Sequence, residues 1–253
     1  MFRIRIQNKK KCIWYCSAVV SFLLFLLLLG WTNHLANTQD AQQMAGRWSE
    51  KKDVAQISCF FSSKAEVTED TIQSFEYSLK NVLQEASITE TSENPSARLW
   101  VDAYSADGKI TLVNGKNTLD ANAIGIGGDF FMFHPLKLIT GAYFSGNDLM
   151  QDYCIIDQDA AWQLFGSNDV VGMTVYIGNV PHIVTGVVQR PDSRMDKAAG
   201  LNSTVVYVSY ETLSAYGTNN GINHYEIVMP NPVDEFAYGK VKEGIGIDEK
   251  NVE

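Results

Sequence analysis

The fold of this chain is decided by residues 153–190, which read YCIIDQDAAWQLFGSNDVVGMTVYIGNVPHIVTGVVQR. Asp157 is placed to cap a helix, because its carboxylate can accept from the backbone N–H groups of the first turn. Gly166 is placed to end that helix in the left-handed conformation. Gly178-Asn179 is typical of a two-residue hairpin turn. The predicted elements are a buried strand at residues 154–156, a short helix, and hairpin strands at residues 173–177 and 182–188. None of these signals indicates a catalytic or binding group, so residues 153–190 are predicted to form a structural scaffold.

The charge of the chain is divided unevenly along its length. All five charged residues before position 12 are basic, namely Arg3, Arg5, Lys9, Lys10 and Lys11. The remainder holds the other 15 basic residues against all 29 acidic ones, a net charge of −14. Nucleic-acid binders gain much of their affinity by neutralising phosphates with lysine and arginine. We therefore expect no nucleic-acid partner and a well-solvated acidic body.

The apolar segment at residues 13–31 contains no charged side chain and is 19 residues long. A helix of about 20 apolar residues spans a bilayer, so the segment predicts a transmembrane helix in contact with membrane lipid. The basic residues before it predict a cytoplasmic tail at residues 1–12 and an extracytoplasmic body. A cleaved signal peptide is the alternative, but the apolar run is long and no A-x-A site follows closely, which favours an uncleaved anchor.

The body divides into recognisable elements after a polar linker at residues 32–52. Alternation predicts a strand at residues 54–62, and helical spacing predicts a helix at residues 68–86. Turns at Asp107-Gly108 and Asn114-Gly115 predict a meander of three short strands. Residues 191–201 are predicted as a mobile loop. The remaining predicted elements are strands at residues 204–208 and 225–229, a helix at residues 210–216, and a helix starting at Val233 with Asp234 and Glu235 in its first turn.

No catalytic, cofactor-binding or metal-binding residue is predicted. The four histidines, His34, His134, His182 and His224, are isolated in sequence, and each is expected on the surface or in a satisfied core position. No G-x-S-x-G or metal-ligand spacing occurs. Cys59 and Cys154 lie in apolar strand patterns and are expected as buried free thiols, although a bridge between them is possible.

Two further motifs have a structural and a functional interpretation. Residues 125–129, GIGGD, resemble a phosphate loop only loosely, and a strand exit that needs positive φ is the favoured interpretation. The aromatic run at residues 130–133 is predicted to belong to the core, with an exposed docking patch as the alternative.

Taken in order, several short runs resemble the MacB-like periplasmic core domain. That domain lies between the first and second membrane helices of ABC-transporter permeases of the MacB/FtsX type. The runs are GGDFF at 127–131, LITGAYF at 138–144, II at 155–156 with AA at 160–161 and LFG at 164–166, VGMTVYIG at 171–178 and IVTGVV at 183–188. Ala142 and Met173 stand where the family pattern has arginine and lysine.

The resemblance implies an α+β fold in two parts. One is an α/β sandwich subdomain from residues 53–126 and 220–253, and the other is a mainly-β subdomain inserted at residues 127–219. It also implies partners: a cytoplasmic ABC ATPase subunit and a second permease subunit. The chain would couple ATP hydrolysis to conformational change outside the membrane, for export of a substrate or mechanical signalling.

Two other functional interpretations remain open. The family has three further membrane helices after this domain, and their absence here leads us to expect a fragment of a longer permease. The main alternative is a stand-alone, single-pass membrane-anchored binding or sensor module. A cell-surface hydrolase is the third hypothesis, which a nucleophile–base contact in a cleft would support.

Overall fold

The computed structural model describes residues 9–37, 40–49, 53–89, 98–190, 194–198 and 203–245. The chain divides into two units, residues 1–43 and residues 44–253. The first unit contains helix α1, Lys9–Asn37, and one 3-10 turn, Asp40–Gln42. Within α1, Ile13–Leu35 is long and apolar enough to cross a membrane, with a mean hydropathy of 2.3. The predicted membrane segment is therefore a helix.

The second unit contains seven helices and ten strands among its described residues. The helices are α2 Met44–Trp48, α3 Glu69–Glu85, α4 Phe130–Phe133, α5 Gln158–Phe165, α6 Arg194–Ala198, α7 Tyr210–Tyr216 and α8 Phe236–Ile245. The strands are β1 Val54–Phe60, β2 Val101–Asn114, β3 Asn117–Gly128, β4 Leu138–Gly141, β5 Tyr153–Asp157, β6 Thr174–Ile177, β7 Val180–Val188, β8 Val205–Ser209, β9 Thr218–Asn219 and β10 His224–Pro230. The predicted α+β class is confirmed.

Six of the strands close into a barrel. The sheet runs β1-β10-β2-β3-β8-β5-β7-β4, and β6 pairs with both β7 and β2. The pairing of Leu112 with Ile177 and of Val113 with Tyr176 closes the ring β2-β3-β8-β5-β7-β6. Closure removes the free edges that an open sheet leaves unpaired.

The barrel interior is filled by alternate side chains of its six strands. All six strands contribute, for example through Leu112, Ala121, Ile156, Ile177 and Val206, which are 0–5% exposed. In β7, both Val184 and Val187 belong to this core, although their spacing of three breaks simple alternation. A register shift between β5 and β7 at this point reverses the pattern and allows it.

The extended end of the sheet is covered on both faces. Helices α3 and α8 contribute buried side chains to the core on one face of β1, β10 and β2, including Phe75 and Val241. Short helices α2 and α4 contribute to the core of the opposite face, through residues such as Met44 and Phe133. Met44 is fixed there because its backbone N–H donates to the Gln56 side chain at 3.0 Å.

The local predictions for residues 153–190 are confirmed. The Asp157 carboxylate accepts from Ala160 N at 2.7 Å and caps α5, and Gly166 ends that helix with φ of 72°. The hairpin turn at Gly178-Asn179 has positive φ at both residues, as its tight geometry requires. The predicted turn at Asn114-Gly115 also joins its two strands, β2 and β3.

The predicted turn at Asp107-Gly108 is wrong, because β2 continues through both residues and pairs them with Ile124 and Ala123 of β3. Gly108 serves a different purpose. A Cβ atom there would lie 2.2 Å from the Thr218 carbonyl oxygen, so the glycine lets β9 approach β2 closely.

The predicted start of the last helix is also wrong. Helix α8 begins at Phe236, three residues later than expected, and Glu235 adopts a positive φ of 64° outside it. The Asn231 side chain accepts from Ala237 N at 3.0 Å and so satisfies a backbone donor at the start of α8.

Two predictions are left partly or wholly untested by these elements. In the segment predicted as a mobile loop, residues 191–201, Arg194–Ala198 forms α6, and the other residues lie outside the described part. The division into residues 53–126 with 220–253 and an inserted 127–219 stays a prediction. β2 takes part both in the barrel core, through Leu112, and in the core beneath α3 and α8, through Tyr104.

Candidate functional site

Three of the described histidines, His134, His182 and His224, have protein partners and do not gather into a site. His134 contacts the Glu226 carboxylate through Nε2, and the ring of Phe130 lies 4.7 Å away. His224 packs edge-on against Phe60, and His34 lies in α1. Within the described ranges, no group of three or more His, Cys, Asp or Glu side chains is arranged to hold a metal ion.

His182 lies inside a small hydroxyl network and is 1% exposed. Its Nδ1 lies 3.0 Å from the Val180 carbonyl oxygen, and its Nε2 lies 3.1 Å from the Thr212 hydroxyl. Because a carbonyl only accepts, Nδ1 carries a proton. Burial lowers the pKa of His182, against the opposing effects of the Val180 hydrogen bond and the Asp152 carboxylate. This is the satisfied core histidine that was expected.

Asp157 is the most buried carboxylate of the scaffold stretch, at 2% exposure. Besides capping α5, it accepts from Val205 N at 3.0 Å through Oδ2. Burial raises the pKa of Asp157, while the two backbone hydrogen bonds and Arg190 oppose the rise. Arg190 itself pairs with Asp159. Both Asp157 oxygens are used by the backbone, so the residue joins elements and has no free oxygen for a ligand.

The glycine and aromatic motifs are structural, as predicted. Gly128 has φ of 63°, and a Cβ at Gly127 would lie 2.0 Å from the Tyr104 ring. The GIGGD run therefore ends a strand under an aromatic ring. Phe130, Phe131 and Phe133 are 0–8% exposed and belong to the core beneath α4.

The two strand cysteines are both free thiols. Cys59 is half-buried and Cys154 is fully buried. Burial raises the pKa of the Cys59 thiol to about 11 and that of Cys154 to about 12. Both thiols are therefore protonated and unreactive near neutral pH.

A cleft of about 770 Å³ opens beside the barrel, where strands β3, β8, β5 and β7 run side by side. Ile124, Val205 and Tyr207 form much of its lining, and Lys137 and Arg190 also border it. Its size falls in the range of small-molecule sites. No sequence pattern predicts this cleft, because its lining comes from strands that are distant along the chain.

A second cleft of about 510 Å³ leads to a group of carboxyl side chains between α3 and β2. Asp102 lines it, and Glu76 of α3 is a close neighbour of its carboxyl group. The Tyr225 hydroxyl donates to Asp102 Oδ2 at 3.1 Å, and the Tyr104 hydroxyl donates to Glu69 Oε1 at 2.6 Å. This cluster was not predicted from the sequence either. The available signal was an aspartate inside a strand whose neighbours are nearly all apolar.

Burial is the main cause of the unusual acidities in this cluster. Burial, and after it the neighbouring Glu76, raises the pKa of Asp102 to about 8. The pKa of Glu76 is raised for the same reason, opposed by its hydrogen bond to Asp102. The pKa values of Tyr104 and Tyr225 are raised as well, so both phenols stay protonated. Among the described residues, this cluster has the most perturbed carboxyl group outside the scaffold stretch.

The sequence profile of the MacB-like periplasmic core domain matches residues 20–249, almost the whole chain. The chain belongs to this family. The resemblance noted in the short sequence runs is thereby confirmed. Together with the apolar helix α1, membership indicates a membrane-anchored protein with an extracytoplasmic domain of the periplasmic type.

Related proteins from bacteria are similar over part of the chain. The macrolide export ATP-binding/permease protein MacB of Chromobacterium violaceum is 32% identical over 99 residues, which is 38% of this chain and 15% of that protein. The protein of the same name from Pasteurella multocida is 30% identical over 98 residues, which is 38% of this chain and 14% of that protein. The aligned part of the chain thus spans a small fraction of these relatives.

Two solved structures are similar to most of the chain. The extracellular domain of the ABC-type transporter YknZ from Gram-positive bacteria is 18% identical, with a TM-score of 0.48, over 79% of this chain and all of that one. The periplasmic region of MacB from Actinobacillus actinomycetemcomitans is 20% identical, with a TM-score of 0.48, over 80% of this chain and 87% of that one.

Proposed function

We propose that this chain is the extracytoplasmic portion of an ABC-transporter permease subunit and transmits ATP-driven motion across the membrane. The family match carries this proposal, because it covers the body and most of the apolar helix together. The relatives are named as ATP-binding/permease proteins, which supports a cytoplasmic ABC ATPase as the source of energy. A second permease subunit and membrane lipid complete the proposed set of partners.

The proposed topology has residues 1–12 in the cytoplasm and the body outside. Five basic residues precede the apolar segment, and basic residues favour the cytoplasmic side. The body supplies no group for hydrolysing ATP in this proposal, and its role is conformational. A rigid barrel suits that role, because a closed, well-packed element moves as a unit.

Topology is tested by labelling one introduced cysteine in intact cells. Trp162 is 59% exposed on α5, so Trp162→Cys presents a thiol, while Cys12 and Cys16 are replaced by alanine. A membrane-impermeant maleimide should label Trp162→Cys before lysis. Labelling of the cytoplasmic variant Gln7→Cys only after lysis is the matched control. Labelling of Trp162→Cys only after lysis would contradict the proposed orientation.

Coupling between ATP hydrolysis and movement of the body is tested with a spin label on Trp162→Cys. The label is introduced into the full-length permease, which is studied together with its ATPase partner. The distance between the labels of two permease subunits should change when ATP is bound and return after hydrolysis. A non-hydrolysable ATP analogue should keep the distance at the value seen with bound ATP. If no ATPase co-purifies and the distance does not respond to ATP, the stand-alone sensor alternative replaces this proposal.

A further inference from the structure

The cleft of about 770 Å³ beside the barrel has an apolar floor. Val205 and Tyr207 of β8 form part of it, and Val206, which alternates with them, points into the barrel core. Ile124 of β3 lies beside Tyr207, because the two residues pair across the strands. The floor is therefore the outer surface of the barrel, and a ligand that rests on it needs an apolar body.

The walls of this cleft are fixed before any ligand binds. Ile124, Leu136 and Tyr207 pack against the core that contains Phe133. Val188 of β7 belongs to the same core, lines the cleft and is 3% exposed. Because a packed core holds the lining in place from behind, binding requires little ordering of side chains.

The cleft runs across four neighbouring strands, in the order β3, β8, β5 and β7. Neighbouring strands lie about 4.8 Å apart, so three spacings span about 14 Å, which matches an extended chain of about twelve carbons. The floor thus has the length of a single acyl chain.

Most charged groups of the cleft are held by other parts of the protein. Both Asp157 oxygens accept from backbone N–H groups, and Asp107 Oδ2 accepts from the Asn223 side chain at 2.7 Å. Asp107 belongs to β2, beyond the β3 end of the cleft. Arg190, at the β7 end, is paired with Asp159. These contacts leave one charged group of the lining uncommitted, which is a cation.

That cation is Lys137, an exposed residue whose ammonium group has no ion pair or hydrogen bond among the described residues. Its carbonyl accepts from Gln189 N at 2.8 Å, which places Lys137 beside β7 at one end of the cleft. The Tyr207 hydroxyl also lacks a partner in the described part of the chain. Burial raises the pKa of Tyr207 to about 12, so its hydroxyl remains a donor. Donors without acceptors favour an anionic ligand over a cationic one.

Ring contacts connect Tyr207 to the segment that carries Lys137. The Tyr207 ring lies 5.8 Å from the Phe131 ring, which stacks on Tyr143 at 4.6 Å. The Tyr143 hydroxyl donates to the carbonyl of Leu136, the neighbour of Lys137. The hydroxyl and the ammonium group therefore belong to one connected part of the lining.

We propose that this cleft binds a long-chain carboxylate, with its acyl chain on Ile124 and Val205 and its carboxylate at Lys137. The apolar floor and its length specify the chain, and the uncommitted cation at one end specifies the head group. The site lies on the body alone, so it does not depend on ATP-driven motion.

The place of binding is tested by photolabelling the full chain in lipid nanodiscs with a dodecanoic acid that carries a diazirine near its methyl end. Mass spectrometry of proteolytic peptides should locate the label on β3 and β8. Val205→Trp fills the floor and should reduce this label by about tenfold, whereas the label on α1, which lipid delivers in every variant, stays constant. Val233→Trp, at an exposed residue outside the cleft, is the matched control and should change neither label.

The head group is tested with Lys137→Gln and with diazirine probes of the same length, dodecanol and dodecylamine. Lys137→Gln should reduce labelling by the acid about two- to fivefold, as expected for an exposed ion pair, and leave labelling by the alcohol unchanged. Lys116→Gln, in the turn between β2 and β3, is the control and should have no effect.

Two results would overturn the proposal. Labelling of β3 and β8 that persists in Val205→Trp, or that never exceeds labelling of the remaining surface, rules out the cleft as the site. Labelling by the amine that equals or exceeds labelling by the acid, or indifference of the acid to Lys137→Gln, rules out a carboxylate ligand. Neither result affects the distance measurement that tests the permease function.

Discussion

Asp157 and Val205 are joined by a hydrogen bond of 3.0 Å, from the Val205 backbone N–H to carboxylate Oδ2. The other oxygen of Asp157 caps α5 at 2.7 Å from Ala160 N. One side chain at the end of β5 therefore fixes both the helix that follows and the strand beside it. The sequence showed the first of these bonds, and only the fold showed the second.

Asp157→Asn should destabilise the protein by about 1–3 kcal/mol. The asparagine amide keeps one acceptor but turns an N–H group towards a backbone donor, which leaves a buried donor unsatisfied. Urea denaturation followed by circular dichroism measures the loss. Asp159→Asn is the control, since this partly exposed partner of Arg190 should contribute less than about 1 kcal/mol. Equal losses in the two variants would contradict the double role of Asp157.

Leu164→Ala should cost about 2–5 kcal/mol, and Leu164→Asp should prevent folding of the barrel. Leu164 is 1% exposed and belongs to the barrel core. The alanine leaves a cavity there, and the aspartate buries a carboxylate that has no partner. Trp162→Ala, on the exposed face of the same helix, should change stability by about 0.5 kcal/mol or less. Thermal melts of the three variants test this, and a stable, soluble Leu164→Asp protein would show that α5 does not close the core.

The protein should be less stable in acid than near neutral pH because His182 is buried in its neutral form. Its folded-state pKa is lowered by burial, so below its ordinary value of 6.5 the unfolded chain binds the proton more readily. The stability that depends on neutral His182 is present above the ordinary value of 6.5 and is lost as the pH falls below it, through the lowered folded-state pKa. The difference in melting temperature between wild type and His182→Gln should shrink over that range.

His182→Ala is also expected to leave transport or signalling intact, because the ring is enclosed by Val180, Thr212 and Tyr216. Loss of activity without loss of stability in His182→Ala would mean that this histidine does more than pack.

Two glycines of α8 should respond in opposite ways to alanine. A Cβ at Gly239 meets no atom within 4 Å, so Gly239→Ala should stabilise the helix by about 0.5–1 kcal/mol. A Cβ at Gly244 would lie 2.3 Å from the Phe75 ring, so Gly244→Ala should cost about 1–3 kcal/mol. Denaturant midpoints of the two variants provide the comparison. Stabilisation by both substitutions would place α8 farther from α3.

Local chemistry made much of the fold predictable. The cap at Asp157, the stop at Gly166 and the turn at Gly178-Asn179 each depend on groups only a few residues apart. The turn predicted at Asp107-Gly108 was wrong because it, too, was inferred from neighbouring residues alone. Glycine in a sequence indicates either a turn or a close approach, and the deciding atom, the Thr218 carbonyl, is far away along the chain.

The candidate sites were beyond the reach of sequence. The pair of Glu76 and Asp102 forms because an amphipathic helix settles on a strand in one register, and no spacing rule links the two residues. The large cleft beside the barrel likewise exists only because folding brings its lining strands together.

The sequence by itself determined the apolar helix, the family and the elements of residues 153–190, since periodicity, caps and turns act over one or two turns of backbone. Only the tertiary structure decided that β6 closes the barrel against β2, through Leu112 and Ile177, and that two carboxyls meet beneath α3. Both depend on contacts between distant segments. Their register is set by burial of the whole core, and no short run of residues encodes it.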